Sequence, residues 1–319
     1  MPVARLRGLM FGVVLGVMLG ITPLRVAQAN DVPAPSELIA QPGGLIAATI
    51  EGVPARLRIV SGGPDRLVLN ADYVAQSGIK PAPILSNANL DIAGKRAFKG
   101  KNRPLDFVIG GLAHKGRAFW FFEAPPLPGN GSIGPWALPQ SRVTLEFGTT
   151  DENHQRHDFP LFGGINSSSF TGYKEESFGM AVGFDLDDPS AHPIASAAAG
   201  AAIARAYGGS LSGATWDVEI LLGVKRPVRL MTLQRPLVIG PLSIRRIAVR
   251  VRDRLDEAGR GDTIPDESED PSEIVVSAKK KGPRPAFSLS IPRATLAGCS
   301  RLTFDKAATR IELWCKPGS

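Results

Sequence analysis

From Leu45 onward the chain is a succession of short β-like runs, each closed by Gly, Pro or Asn. Leu45–Ile50, Ala55–Val60, Arg66–Leu69, Leu105–Ile109, Arg117–Phe122 and Arg142–Phe147 are too short for helices and rich in branched and aromatic residues. With 35 glycines and 27 prolines, nearly a fifth of the 319 residues punctuates the chain and leaves little room for long helices. One short helix is predicted over Ala71–Ser77, with Asn70 as N-cap and Gly78 closing its C-terminus. An apolar fraction of 43% excludes a disordered chain, and the lack of Gly at every third position excludes collagen. The length suffices for one or two domains with a sizeable core.

The first residues read as a targeting segment. Arg5 and Arg7 precede the apolar run Leu9–Ile21, and Ala27-Gln28-Ala29 follows as a small-residue cleavage signal. This is the pattern of a secretory signal peptide over residues 1–29, with an apolar run short of the roughly 20 residues that cross a bilayer. The expected product is exported, periplasmic or secreted, with no membrane span after cleavage. Three of the arginines behind the net charge of +7 (Arg5, Arg7 and Arg25) lie in this segment. The remaining charge is modest and no basic stretch is interleaved with aromatics, so nucleic acid is not expected as a partner. Cys299 and Cys315 are the only cysteines and sit symmetrically about Ala307, between two strand-like runs, Arg301–Asp305 and Arg310–Trp314. In an oxidising compartment they are expected to form a disulfide clamping that hairpin.

Behind a lead-in linker over residues 30–44, the chain divides into a β-rich region over 45–150, a polar linker over 151–177 and a second β-rich region over 178–319. Asp256–Glu273 carries eight acids and Lys279-Lys280-Lys281 follows, so about 256–285 reads as a solvated, charged insert. The two regions look like repeats of one plan. Gly131–Leu138 leads into Arg142–Phe147 much as Ser290–Leu296 leads into Arg301–Asp305.

Gly52–Gly63, followed by Leu67-Val68-Leu69 and by Ala75-Gln76-Ser77-Gly78, resembles a lobe of the retropepsin-like aspartic proteases. In that family a turn and strand deliver an Asp-Thr/Ser-Gly triplet, and a short helix ending in Gly comes after it. Ile133-Gly134 is similar to the family's apolar-apolar-Gly segment, which supports the active-site loop. Leu302–Leu313 matches its final hairpin. The resemblance implies a mainly β protein of two retropepsin-like β-barrel lobes in tandem. It also implies two aspartates, one per lobe, holding a water between them and sharing one proton. In the first region the triplet positions are Val60-Ser61-Gly62, with Val in place of the acid. In the second, counting from Pro189 as Val60 lies from Pro54 gives Ala195-Ser196-Ala197, whereas counting back from Gly208 gives Ser190 or Ala191. No Asp-Thr-Gly or Asp-Ser-Gly occurs anywhere in the chain.

Other motifs carry less. Gly129–Gly134 fits a dinucleotide fingerprint in letters only, because Pro135 and Pro139 forbid the helix it requires. Ser77–Lys80 and Ser277–Lys280 fit S-x-x-K without its companion motifs. His154 and His157 lie in the polar linker with no third strong ligand in view, so no metal and no cofactor is expected. The expectation is therefore an inactive aspartic-protease-like protein that binds an extended peptide or a cell-envelope component between its lobes, as a binding or scaffold module. The alternative is an active aspartic endopeptidase using displaced carboxylates, with Asp187 or Asp188 pairing an acid such as Asp65.

Overall fold

The computed structural model describes residues 37–92, 96–164, 167–251 and 287–318. The signal-peptide reading over 1–29, the first part of the lead-in and the charged insert lie outside the described residues. In chain order the first elements are β1 (Glu37–Ala40), β2 (Leu45–Ile50), β3 (Val53–Ile59), β4 (Leu67–Leu69) and α1 (Ala71–Gln76). Next come β5 (Asn87–Ile92), β6 (Arg96–Ile109), β7 (Leu112–Phe121), β8 (Gly131–Ile133) and β9 (Arg142–Glu146). Then follow β10 (Gln155–Pro160), β11 (Thr171–Lys174), β12 (Gly179–Asp185), β13 (Ile194–Ala195) and α2 (Ala197–Tyr207). The last are β14 (Gly209–Leu221), β15 (Val224–Ile239), β16 (Leu242–Arg250), β17 (Ser288–Pro292), β18 (Cys299–Asp305) and β19 (Arg310–Cys315). The protein is mainly β. No helix among the described residues is long and apolar enough to cross a membrane.

Among the described residues two of the three sheets have seven strands, in the orders β2-β3-β8-β4-β7-β6-β5 and β11-β12-β17-β13-β16-β15-β14. Pairing of β2 with β6 closes the first into a six-stranded barrel. The orders correspond strand for strand, and so do the senses. β8 runs parallel to β3 and antiparallel to β4, as β17 runs parallel to β12 and antiparallel to β13. Alternation sets the buried face: Ala55, Leu57 and Ile59 point inward from β3, and Met180, Val182 and Phe184 from β12. These side chains belong to one continuous core that also takes in Phe107, Leu145, Leu289 and Phe304.

The third sheet, β1-β9-β18-β19-β10, corrects the boundaries read from sequence. Glu37–Ala40 and Gln155–Pro160, both assigned to linkers, are its edge strands, paired to β9 and β19. β10 carries Gln155, Arg156 and Asp158, and an edge strand tolerates such polar residues because one side of it faces solvent. The sheet also joins the two halves, since β18 from the C-terminal hairpin pairs with β9 from the first. Arg142 ties four of the strands together, reaching Glu37 on β1, Asp305 on β18 and Glu312 on β19. The Glu312 side chain is only 1% exposed and also accepts from Arg310 at 2.9 Å.

The Cys299–Cys315 disulfide is formed as expected. The hairpin turns over residues 306–309, so the register that pairs Asp305 with Arg310 and Arg301 with Trp314 would set Cys299 opposite residue 316. A bulge between Cys299 and Arg301 absorbs one residue and restores Cys299 to a position opposite Cys315.

Candidate functional site

The candidate site lies where β3 and β12 leave their sheets. β3 ends with Ile59 paired to Ile133, two residues before the 3-10 turn Pro135–Ala137. In β12, Phe184 pairs with Ile291, two residues before the 3-10 turn Arg293–Leu296. Ile59 therefore corresponds to Phe184, and the residue that corresponds to Val60 is Asp185, with Leu186-Asp187 following where Ser61-Gly62 follow Val60.

These two loops touch. The Leu186 N–H donates to the Ser61 hydroxyl at 2.9 Å, and Ser61 is completely buried. A Cβ on Gly62 would overlap the Asp185 carboxyl group, so only glycine allows this approach. A Cβ on Gly134 would in turn run into the Pro64–Asp65 backbone, which places Ile133-Gly134 directly under the first loop. The Asp185 pKa is pushed up to about 6, chiefly by burial, with the neighbouring charges of Asp187 and Asp188 adding to the effect. Its Oδ1 accepts from the Asp187 N–H at 3.1 Å.

Ala195-Ser196-Ala197 lies elsewhere. Ala195 ends β13, the Ser196 side chain caps α2 by accepting from the Ala199 N–H at 3.3 Å, and Ala197 opens that helix. Those residues correspond to Leu69-Asn70-Ala71 of the first half. Both sequence anchors misled for identifiable reasons. Pro54 lies inside β3, whereas Pro189 lies beyond the end of β12. α2 has 11 residues against six in α1, so counting back from Gly208 stops short of Asp185 by the difference.

The displaced acids are held by other partners. Asp187 forms an ion pair with Arg58 at 2.8 Å, and Asp188 accepts from the Ser190 N–H at 2.9 Å. Asp65 is fully buried and accepts from the Ser169 hydroxyl at 2.9 and 3.0 Å and from the Trp136 N–H at 3.1 Å. Burial raises the Asp65 pKa to about 6 and lowers that of nearby Lys306 to about 8. Among the described residues no hydrogen bond joins two carboxyl groups, and no cluster of three or more His, Cys, Asp and Glu could hold a metal. His154 bonds Asp151 through Nδ1 at 2.9 Å, while His157 sits on β10.

Val60, Gly62 and Asp185 line a cleft of about 520 Å³. Its floor is the outward face of the β3-β8-β4 strands, presenting Arg58, Ser132 and Val68, with Arg66 just ahead of β4. The tip of the β14–β15 hairpin reaches over it, burying Leu222 and Val224 against Phe98 and Phe121. There the hairpin meets the loop Pro125–Pro128, which Asn70 fixes from beneath. The Asn70 side chain donates to the Leu127 and Gly129 carbonyls and accepts from the Leu127 N–H, rather than capping α1.

Sequence reasoning missed Asp185, Arg58 and Arg66. The usable signal was the alternation itself: Met180, Val182 and Phe184 lead to Asp185 as Ala55, Leu57 and Ile59 lead to Val60. No family model matches the chain, and no curated protein matches it.

Proposed function

We propose that the chain is an exported relative of the retropepsin-like aspartic proteases, two lobes in one chain. It holds an extended peptide or a cell-envelope component in its inter-lobe cleft and does not cut it. The observation that carries this reading is the asymmetry at the cleft: corresponding positions hold an acid, Asp185, on one side and Val60 on the other. Splitting a peptide bond in the aspartic-protease manner needs one carboxylate as base and a second as acid, and Val60 can neither hold nor activate water. The matching strand orders of the two seven-stranded sheets and the contact between Ser61 and Leu186 support a common ancestry of the halves.

Binding survives the loss of the acid. Among the described residues β5 and β14 are end strands of their sheets, and Leu90 from one and Glu219–Leu221 from the other line the cleft. An extended peptide pairs with such an edge through its main chain, and apolar walls receive alternate side chains. The alternative of an active endopeptidase has Asp187 or Asp188 share a proton with an acid such as Asp65. The ion pair of Asp187 and the hydrogen bonds of Asp65 leave that pairing without support.

The test is hydrogen exchange on the purified protein with and without a pool of blocked, extended peptides. Slowed exchange confined to Leu90, Gly62–Gly63 and Glu219–Gly223 is the expected result. Unchanged exchange there at saturating peptide would remove the reading.

A further inference from the structure

The cleft holds two arginines in different situations. Arg58 is neutralised by Asp187 at 2.8 Å. Arg66 has no ion pair among the described residues, and its Nε is buried without a hydrogen-bond partner. Its guanidinium lies 4.8 Å above the Phe119 ring, which orients the plane but offers no acceptor. Burial alone moves its pKa, downward, and no carboxylate acts against that. A half-buried guanidinium without an acceptor is costly in the empty cleft and is repaid when an anion arrives.

The surroundings define that anion's neighbours. Val68, two residues beyond Arg66, pairs with Ser132 on β8, so the Ser132 side chain shares the cleft floor with Arg66 and can donate a hydroxyl. The acids of the cleft have their own partners. Asp187 bonds Arg58, Asp188 bonds the Ser190 N–H, Asp185 bonds the Asp187 N–H, and Glu219 accepts from the Gly223 N–H at 2.8 Å. Leu90, Phe121 and Leu127 make the adjacent wall apolar.

Building on the proposed peptide cleft, we propose that Arg66 and Ser132 form a carboxylate subsite, so that the cleft selects an extended peptide with an acidic side chain flanked by apolar ones. The planar guanidinium takes a carboxylate through two parallel N–H donors, an arrangement a neutral amide cannot match.

The experiment uses three pools of blocked nonapeptides, randomised over apolar residues, with Glu, Gln or Lys fixed at the centre. Binding to the full chain is read by fluorescence polarisation. The Glu pool is expected to bind about tenfold tighter than the Gln pool. Arg66→Gln brings the Glu pool down to the affinity of the Gln pool measured on the same variant, while Arg66→Lys restores part of the preference. Should Arg66→Gln fold poorly, raised salt provides a second reading, eroding the Glu preference without weakening the Gln pool. Equal affinity for Glu and Gln, or tighter binding of the Lys pool, overturns the carboxylate subsite while leaving the peptide cleft standing. Acetate binding at Arg66 with no preference among the pools assigns the site to free small anions and overturns the peptide assignment. If no pool binds, the cleft reading fails and the subsite falls with it.

Discussion

Replacing Asp185 with Asn probes the contact on which the cleft depends. Burial against the Gly62 loop raises the Asp185 pKa from 3.8 to about 6, so the folded protein holds this proton more tightly than the unfolded chain does. The stabilisation from that proton is complete below about pH 4 and is lost as the pH rises through about 6. A shift of roughly two pH units corresponds to about 3 kcal/mol as an upper value. Asp65, also raised to about 6 by burial, contributes with the same sign over the same window. Asp151 is held down to about 2 by its hydrogen bond from His154, so its titration acts below pH 4 and leaves the window clear. Asn keeps the acceptor for the Asp187 N–H and removes the charge. Asp185→Asn should therefore gain about 1–3 kcal/mol at pH 7.5 and roughly halve the loss of stability between pH 4.5 and 7. Urea denaturation at half-unit pH intervals measures both. A variant whose pH profile superimposes on that of the unmodified chain would show that the Asp185 carboxyl is solvated, and the contact between the loops would have to be abandoned.

Three further outcomes are expected. Gly62→Ala drives a methyl group into the Asp185 carboxyl and should cost about 1–3 kcal/mol in thermal or urea melts. Asp185→Ala in the same chain should return only part of it, because the residue-185 Cβ, 2.5 Å from the added methyl, stays in place. The double variant Cys299→Ser with Cys315→Ser opens a loop of 16 residues' separation and should lose about 3 kcal/mol, measured under non-reducing conditions. Arg142→Met removes the shared cation from Glu37, Asp305 and buried Glu312. Urea melts should show a loss of about 3 kcal/mol, the low end for a broken buried pair, because Arg310 still reaches Glu312.

The elements that sequence reasoning located best are those governed by local chemistry. β2, α1, β9 and the clamped C-terminal hairpin follow from alternation, from the helix and turn signals and from two cysteines placed about one turn. β1 and β10 were invisible because an edge strand is recognised by its partner, and their partners β9 and β19 lie more than 100 residues away along the chain. The site was half legible. Val60-Ser61-Gly62 follows its strand as read, and all three positions pack into the cleft or beneath it. Its counterpart is misplaced by ten residues when counted from Pro189, a proline past the strand rather than within it, and by five or six when counted back through the longer helix from Gly208. Arg66 carried no sequence signal at all. What distinguishes it is a missing partner, and that shows only when the other acids of the cleft are seen to be engaged.

The central claim is that the cleft binds an extended peptide and leaves it whole. The direct measurement is to incubate the purified protein with a randomised blocked peptide pool between pH 4 and 7, then analyse the bound and free fractions by mass spectrometry. The account predicts peptides retained at their original masses, and their loss when Ser132→Trp fills the cleft floor. Shortened products that accumulate at acid pH and disappear on Asp185→Asn would contradict it, since a single acid would then be cutting.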